Sequence, residues 1–108
     1  MTDLPLLDIV VVDIDRTARV LLSGELDLST GPRMRGAVAE ILEDPLIERI
    51  VIDAGLLTFC DSTGLGILMA VHRLASEHGV ALYLSEVSPR LQRLLRETGF
   101  SRRLSPPP

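Results

Sequence analysis

The sequence predicts an α/β fold, a mixed sheet with helices packed against it in the order β-β-α-β-α-β-α. Three observations predict it. Short β-branched runs alternate with segments of helical apolar spacing, the pattern of one α/β layer structure. The first two strand patterns are separated by only a couple of turn-compatible residues, which favours an antiparallel hairpin. The 108 residues suffice for one domain and are too few for two.

The elements follow in order. Asp8–Ile14 reads as a strand, Asp15 and Arg16 as a turn, and Ala18–Ser23 as the antiparallel second strand. The polar stretch from Gly24 to Pro32 ends in Ser29-Thr30-Gly31-Pro32, a helix-start signature. Met34, Ala37, Val38, Ile41 and Leu42 line one face of that helix, and Pro45 ends it. Ile50-Val51-Ile52, bracketed by charge, reads as a buried strand. A loop over Gly55–Asp61 then leads into a second helix, from Thr63 to His78, which Gly79 caps. Val80–Leu84 is the next strand. Ser88-Pro89 opens a third helix with Leu91, Leu94 and Leu95 inward and Gly99 beyond its end. Residues 1–104 are expected to form the single domain, and the proline-rich 105–108 a disordered tail.

Composition excludes several classes. The net charge is −4, which opposes binding to a phosphate backbone. The aromatics are Phe59, Tyr83 and Phe100, too few for base stacking. The start carries two aspartates and a proline and no basic n-region, so no signal peptide is expected. The longest apolar run falls far short of the roughly 20 residues that span a bilayer. The single cysteine, Cys60, forms no internal disulfide, fits a reducing compartment and reads as a small core hydrophobe. The expectation is a cytoplasmic domain without membrane or direct nucleic-acid contact.

The informative stretch is Ile50–Ala75. A buried strand leads through a loop into Asp61-Ser62-Thr63-Gly64-Leu65-Gly66, which opens a helix. Ser62 or Thr63 is expected to be its N-cap, a common role for a hydroxyl residue. Two features raise a second reading. The first two turns of the helix carry almost only apolar or small residues, so they are either buried or open to a partner. Gly64 and Gly66 each weaken a helix by roughly 1 kcal/mol relative to alanine, which suggests close backbone approach to the sheet or to another protein. The helix start can also accommodate a phosphate through its free N–H groups and positive dipole end.

Catalysis at Ser62 finds no support. No Gly-x-Ser-x-Gly elbow exists, and His72 lies roughly 15 Å along the same helix. His72 and His78 are not spaced as an i, i+4 metal pair. The chain has no phosphate-binding loop and no lysine. No cofactor, metal or catalytic residue is expected, and the chain is not read as an enzyme.

The runs Gly24-Glu25-Leu26-Asp27 and Leu56–Gly66, with Val87-Ser88-Pro89 and Leu95–Phe100, closely resemble the STAS-domain family of bacterial anti-sigma factor antagonists, over about Asp8–Leu104. The resemblance implies the STAS fold with a four- to five-stranded mixed sheet. It also implies that Ser62 is phosphorylated by an anti-sigma factor that is itself a serine kinase of the GHKL type. The unphosphorylated form binds that kinase and frees the sigma factor, and a phosphatase restores it. Asp27 is placed near Ser62 at the partner-facing surface. The expected partner-binding set is Asp27, Thr30, Asp61, Ser62, Thr63, Gly64 and Leu65, carried on a Gly24–Thr30 loop, a Thr58–Ser62 loop and the first turns of the helix. The chain departs from the family pattern at Cys60, where a larger side chain is usual, and near its end, where relatives often add a short strand. STAS domains also serve as accessory subunits of transporters and of stress-sensing assemblies, which is the alternative reading.

Overall fold

A computed structural model describes residues 6–106. The strands are β1 (Leu7–Ile14), β2 (Thr17–Leu26), β3 (Arg49–Cys60) and β4 (Ala81–Ser85). The helices are α1 (Gly31–Ile41), α2 (Ser62–Glu77), α3 (Pro89–Thr98) and α4 (Ser101–Leu104). The sheet runs β1-β2-β3-β4. β1 and β2 are antiparallel, while β2, β3 and β4 are parallel. This is the mixed sheet the sequence predicts. It has four strands, and α4 stands where a fifth strand was an option.

The hairpin turn consists of Asp15 and Arg16, both with positive φ (50° and 63°). That backbone matches the twist of the flanking strands. The period-two alternation then sorts the sheet's faces. Ala18, Val20, Leu22, Ile50, Ile52, Leu82 and Leu84 are buried, in one cluster with Met34 and Val38 of α1, Leu65 and Leu68 of α2, and Leu91 and Leu95 of α3. The other face carries rows such as Val12, Arg19, Val51 and Tyr83.

Two strands are longer than the sequence pattern suggests. β2 continues through Gly24-Glu25-Leu26, and β3 continues through the expected Gly55–Asp61 loop as far as Cys60. Register shifts at Leu21/Ser23 and Gly24/Glu25 let the two stay paired to Leu26↔Cys60. Such bulges re-aim a strand where pairing would otherwise end. Gly24 permits one of them: its φ is +109°, and a Cβ there would sit 2.1 Å from the Leu6 carbonyl oxygen.

α2 ends at His78, with Gly79 at φ 71° and Val80 N–H closing onto the Ala75 carbonyl at 2.9 Å. Ser88 caps α3 by accepting from Leu91 N–H, and Gly99 ends it in the left-handed region. Leu104 of α4 is buried. Of the expected disordered tail, Ser105 and Pro106 follow α4 without regular structure, and residues 107–108 lie outside the described residues. Among the described residues no helix is long and apolar enough to cross a membrane, and no group of side chains could hold a metal ion.

Candidate functional site

The parallel pair β2–β3 brings two chain segments out of the sheet side by side. Leu26 pairs with Cys60, so Asp27 and Asp61 are the first residues past each strand. Ligands and partners of α/β sheets meet the protein at such carboxyl ends.

On the β2 side, Asp27 organises a tight turn. Its Oδ1 accepts from Ser29 N–H (3.0 Å), the Ser29 hydroxyl (2.9 Å) and Thr30 N–H (3.1 Å). The Ser29 hydroxyl first, and then the Thr30 N–H, hold the Asp27 carboxyl below its usual range. The buried Thr30 hydroxyl accepts from Asp27 N–H at 3.0 Å and donates to the Glu25 carbonyl at 2.9 Å. It ties the end of β2 to the start of α1. Between these anchored residues stands Leu28, with 78% of its surface exposed.

On the β3 side, the N-cap is Asp61, not Ser62 or Thr63. Asp61 has an extended backbone, and its Oδ1 accepts from Gly64 N–H at 2.9 Å. A carboxylate is a strong cap, and its charge suits the positive end of the helix. Ser62 therefore occupies the first helical position with no capping duty. Ser62 and Thr63 are both exposed.

The two glycines divide the roles the sequence left open. A Cβ at Gly64 would lie 2.3 Å from the Leu26 carbonyl oxygen, so its close approach is to the sheet. A Cβ at Gly66 would meet nothing within 4 Å, so this glycine keeps the outer surface of the helix flat. The first turns of α2 are accordingly two-sided. Leu65, Ile67, Leu68 and Met69 are buried, while Ser62, Thr63 and Gly66 face outward.

The seven expected contact residues thus separate. Asp61, Ser62 and Thr63 reach the surface at the helix start, and Asp27 shapes the adjacent turn. Thr30, Gly64 and Leu65 are corrected to supporting positions: Thr30 is 5% exposed, Leu65 is 1% exposed, and Gly64 is packed against β2. Gly24–Leu26 of the expected first loop and Thr58–Cys60 of the second are strand; the Asp27–Thr30 turn lies past β2, and Asp61 and Ser62 lead into α2. Neighbours outside the expected contact set are Arg90, Arg93 and Glu97 of α3, with Leu94, expected inward and here half-buried. With Cys60 and Asp61 they line a cleft of about 320 Å³. The signal was the arginine-rich outer face of α3, whose distance from Ser62 no spacing rule supplies. Burial first, and the Asp61 carboxylate second, push the Cys60 thiol up to about 11. At neutral pH it is a protonated, weakly reactive group.

A family model described as Mlab, STAS domain, matches residues 10–106. An anti-sigma F factor antagonist of Paenibacillus polymyxa is 35% identical over 81 residues, 75% of this chain and 69% of that protein. The crystal structure of an anti-sigma factor antagonist from Mycobacterium paratuberculosis superposes with a TM-score of 0.70 at 30% identity, covering 89% of this chain and 80% of that one. The anti-sigma factor antagonist SpoIIAA in its unphosphorylated form gives 0.76 at 20% identity, covering 91% and 86%, a likeness of fold.

Proposed function

The chain belongs to the STAS domain family, and on that footing we propose that it is an anti-sigma factor antagonist switched by phosphorylation of Ser62. The observation that carries this reading is the division of labour at the start of α2. Asp61 caps the helix, and Ser62 is left exposed beside it. Relatives that carry the name anti-sigma factor antagonist support the function class.

In this reading the unphosphorylated surface docks onto an anti-sigma factor that is a GHKL-type serine kinase, in the cytoplasm. The contact comprises Ser62, Thr63 and Gly66 of α2 with the neighbouring Asp27–Ser29 turn. Flat small residues let a partner backbone come close. The kinase positions ATP and supports phosphoryl transfer, so this chain needs only to present a hydroxyl. The product carries about −1.5 to −2 charges. Free N–H groups and the helix dipole tolerate that charge at the first turn. The adjacent Asp61 carboxylate leaves its negative potential uncancelled toward the partner. Docking is lost without unfolding, the sigma factor is recaptured, and a phosphoserine phosphatase resets the chain.

The test is incubation with the candidate anti-sigma kinase and ATP, followed by phosphosite mapping. Label on Ser62, and retained kinase binding by Ser62→Ala, is the expected result. Label on Thr63 or Ser29 with Ser62 untouched would overturn the site assignment. Capture of a membrane transporter complex in place of a kinase would favour the accessory-subunit reading.

A further inference from the structure

β1 is an edge strand of the sheet, and among the described residues its middle, Val10–Val12, is left exposed. Its pairing with β2 runs unbroken from Leu7↔Gly24 to Ile14↔Thr17, so no bulge twists the edge away. It contains no proline, and its charges, Asp8 and Asp13, flank the apolar run Ile9–Val12 without interrupting it. Val10, Val11, Val12 and Ile14 are 40–64% exposed, so both faces of the strand are apolar at its free side. Natural edges are normally blunted against pairing with another chain.

The hairpin determines which backbone groups are free. In a two-residue hairpin the pair flanking the turn exchanges both hydrogen bonds, and pairs then alternate. Ile14, Val12, Val10 and Asp8 therefore turn their N–H and C=O groups toward β2. Leu7, Ile9, Val11 and Asp13 turn theirs outward. Two contacts agree: Leu6 C=O accepts from Glu25 N–H of β2's end, whereas Leu7 C=O is taken by the Arg33 guanidinium of α1. Arg33 thus closes the edge at Leu7 and leaves Ile9, Val11 and Asp13 open.

We propose that this open edge pairs with β1 of a second copy of the chain, antiparallel about a two-fold axis at Val11. An isologous contact of this kind closes on itself. The register follows from hydrogen bonding and charge. Outward groups must meet outward groups, which admits an axis on Val10, Val11 or Val12. An axis on Val10 would set Asp13 against the blocked Leu7. One on Val12 would run Ile9 into the hairpin turn. Centring on Val11 sets Ile9 opposite the second copy's Asp13, and Val10 opposite its Val12. Asp8 then lies opposite the second copy's Ile14, clear of its Asp13. It also brings Asp13 within two residues, about 7 Å along the edge, of the second copy's Leu7, whose carbonyl holds Arg33. Neither Asp13 nor Arg33 has an ion-pair partner within its own chain among the described residues. The charge match favours a second copy of this chain over an unrelated strand.

The test is sedimentation equilibrium of the whole chain up to about 100 µM, with variants. The wild type is expected to dimerise, and Val11→Lys, at an exposed position, to stay monomeric, with a melt matching that of the wild type diluted to monomer. Asp13→Arg should weaken the dimer at least tenfold, and Asp13→Arg combined with Arg33→Asp should restore it. In a Cys60→Ala background, Val11→Cys should cross-link to itself on mild oxidation, since facing hydrogen-bonded residues lie about 5.5 Å apart, within disulfide range. Val10→Cys should cross-link at least tenfold more slowly, because its own copy lies on a diagonal. A wild type that remains monomeric, a dimer indifferent to Val11→Lys, or equal cross-linking at both positions would overturn the proposal. None of these readouts involves Ser62 or a kinase.

Discussion

At the scale of single residues, the account turns on which side chain does which job at the end of β3. Asp61 supplies the cap, where the sequence points to Ser62 or Thr63. The sequence places three capping residue types next to one another, and only backbone geometry decides among them. Asp61→Ala is expected to destabilise the domain by about 1 kcal/mol, while Ser62→Ala leaves stability nearly unchanged; chemical denaturation measures both. Asp27 has a comparable role in its turn. Its lowered carboxyl contributes stability that is complete above the unfolded aspartate value, near 3.8, and that is lost as pH falls through the lower folded value. The melting-temperature gap between wild type and Asp27→Asn should therefore hold at neutral pH and shrink below about pH 4. A gap independent of pH would contradict the hydrogen-bond assignment. The raised Cys60 thiol should react with iodoacetamide at pH 8 at least tenfold more slowly than a free cysteine, about half-ionised near pH 8.5.

At the scale of elements, the hairpin and the ends of α1 and α3 were legible to within a few residues because local chemistry sets them. Asp15-Arg16, Pro32, Pro45, Ser88-Pro89 and Gly99 all act on their nearest neighbours. The far ends of β2 and β3 were not legible. Gly24 and Gly55 are poor strand residues, and only pairing between two distant segments, with bulges, keeps them extended. α4 was missed because a helical turn of its size carries no periodicity, and burial of Leu104 holds it in place. The candidate surface was legible as a motif but not as a surface. Whether Leu65 faces in and Thr63 out depends on how α2 sits over the sheet. The two glycines of α2 make this testable. Gly64→Ala should cost about 1–3 kcal/mol by overpacking against Leu26. Gly66→Ala should add up to about 1 kcal/mol of helix stability and weaken partner docking. Similar melting shifts for both would contradict the two-sided helix.

At the scale of the whole molecule, the proposed switch is a change of surface potential on a domain that stays folded. The core lies beneath the helices, and Ser62 is outside it, so a charge at this position should leave the fold intact. Ser62→Asp is expected to melt within a few degrees of the wild type, in keeping with the tolerance of helix starts for anions. The central claim is that phosphate on Ser62 alone decides docking. It is tested most directly by measuring the affinity of the anti-sigma kinase for the wild-type chain and for the chain carrying phosphoserine at position 62. The account predicts at least a hundredfold weaker binding of the phosphorylated chain, about 2.7 kcal/mol, with the two melts matching. Equal affinities, with Ser62 fully phosphorylated, would contradict it.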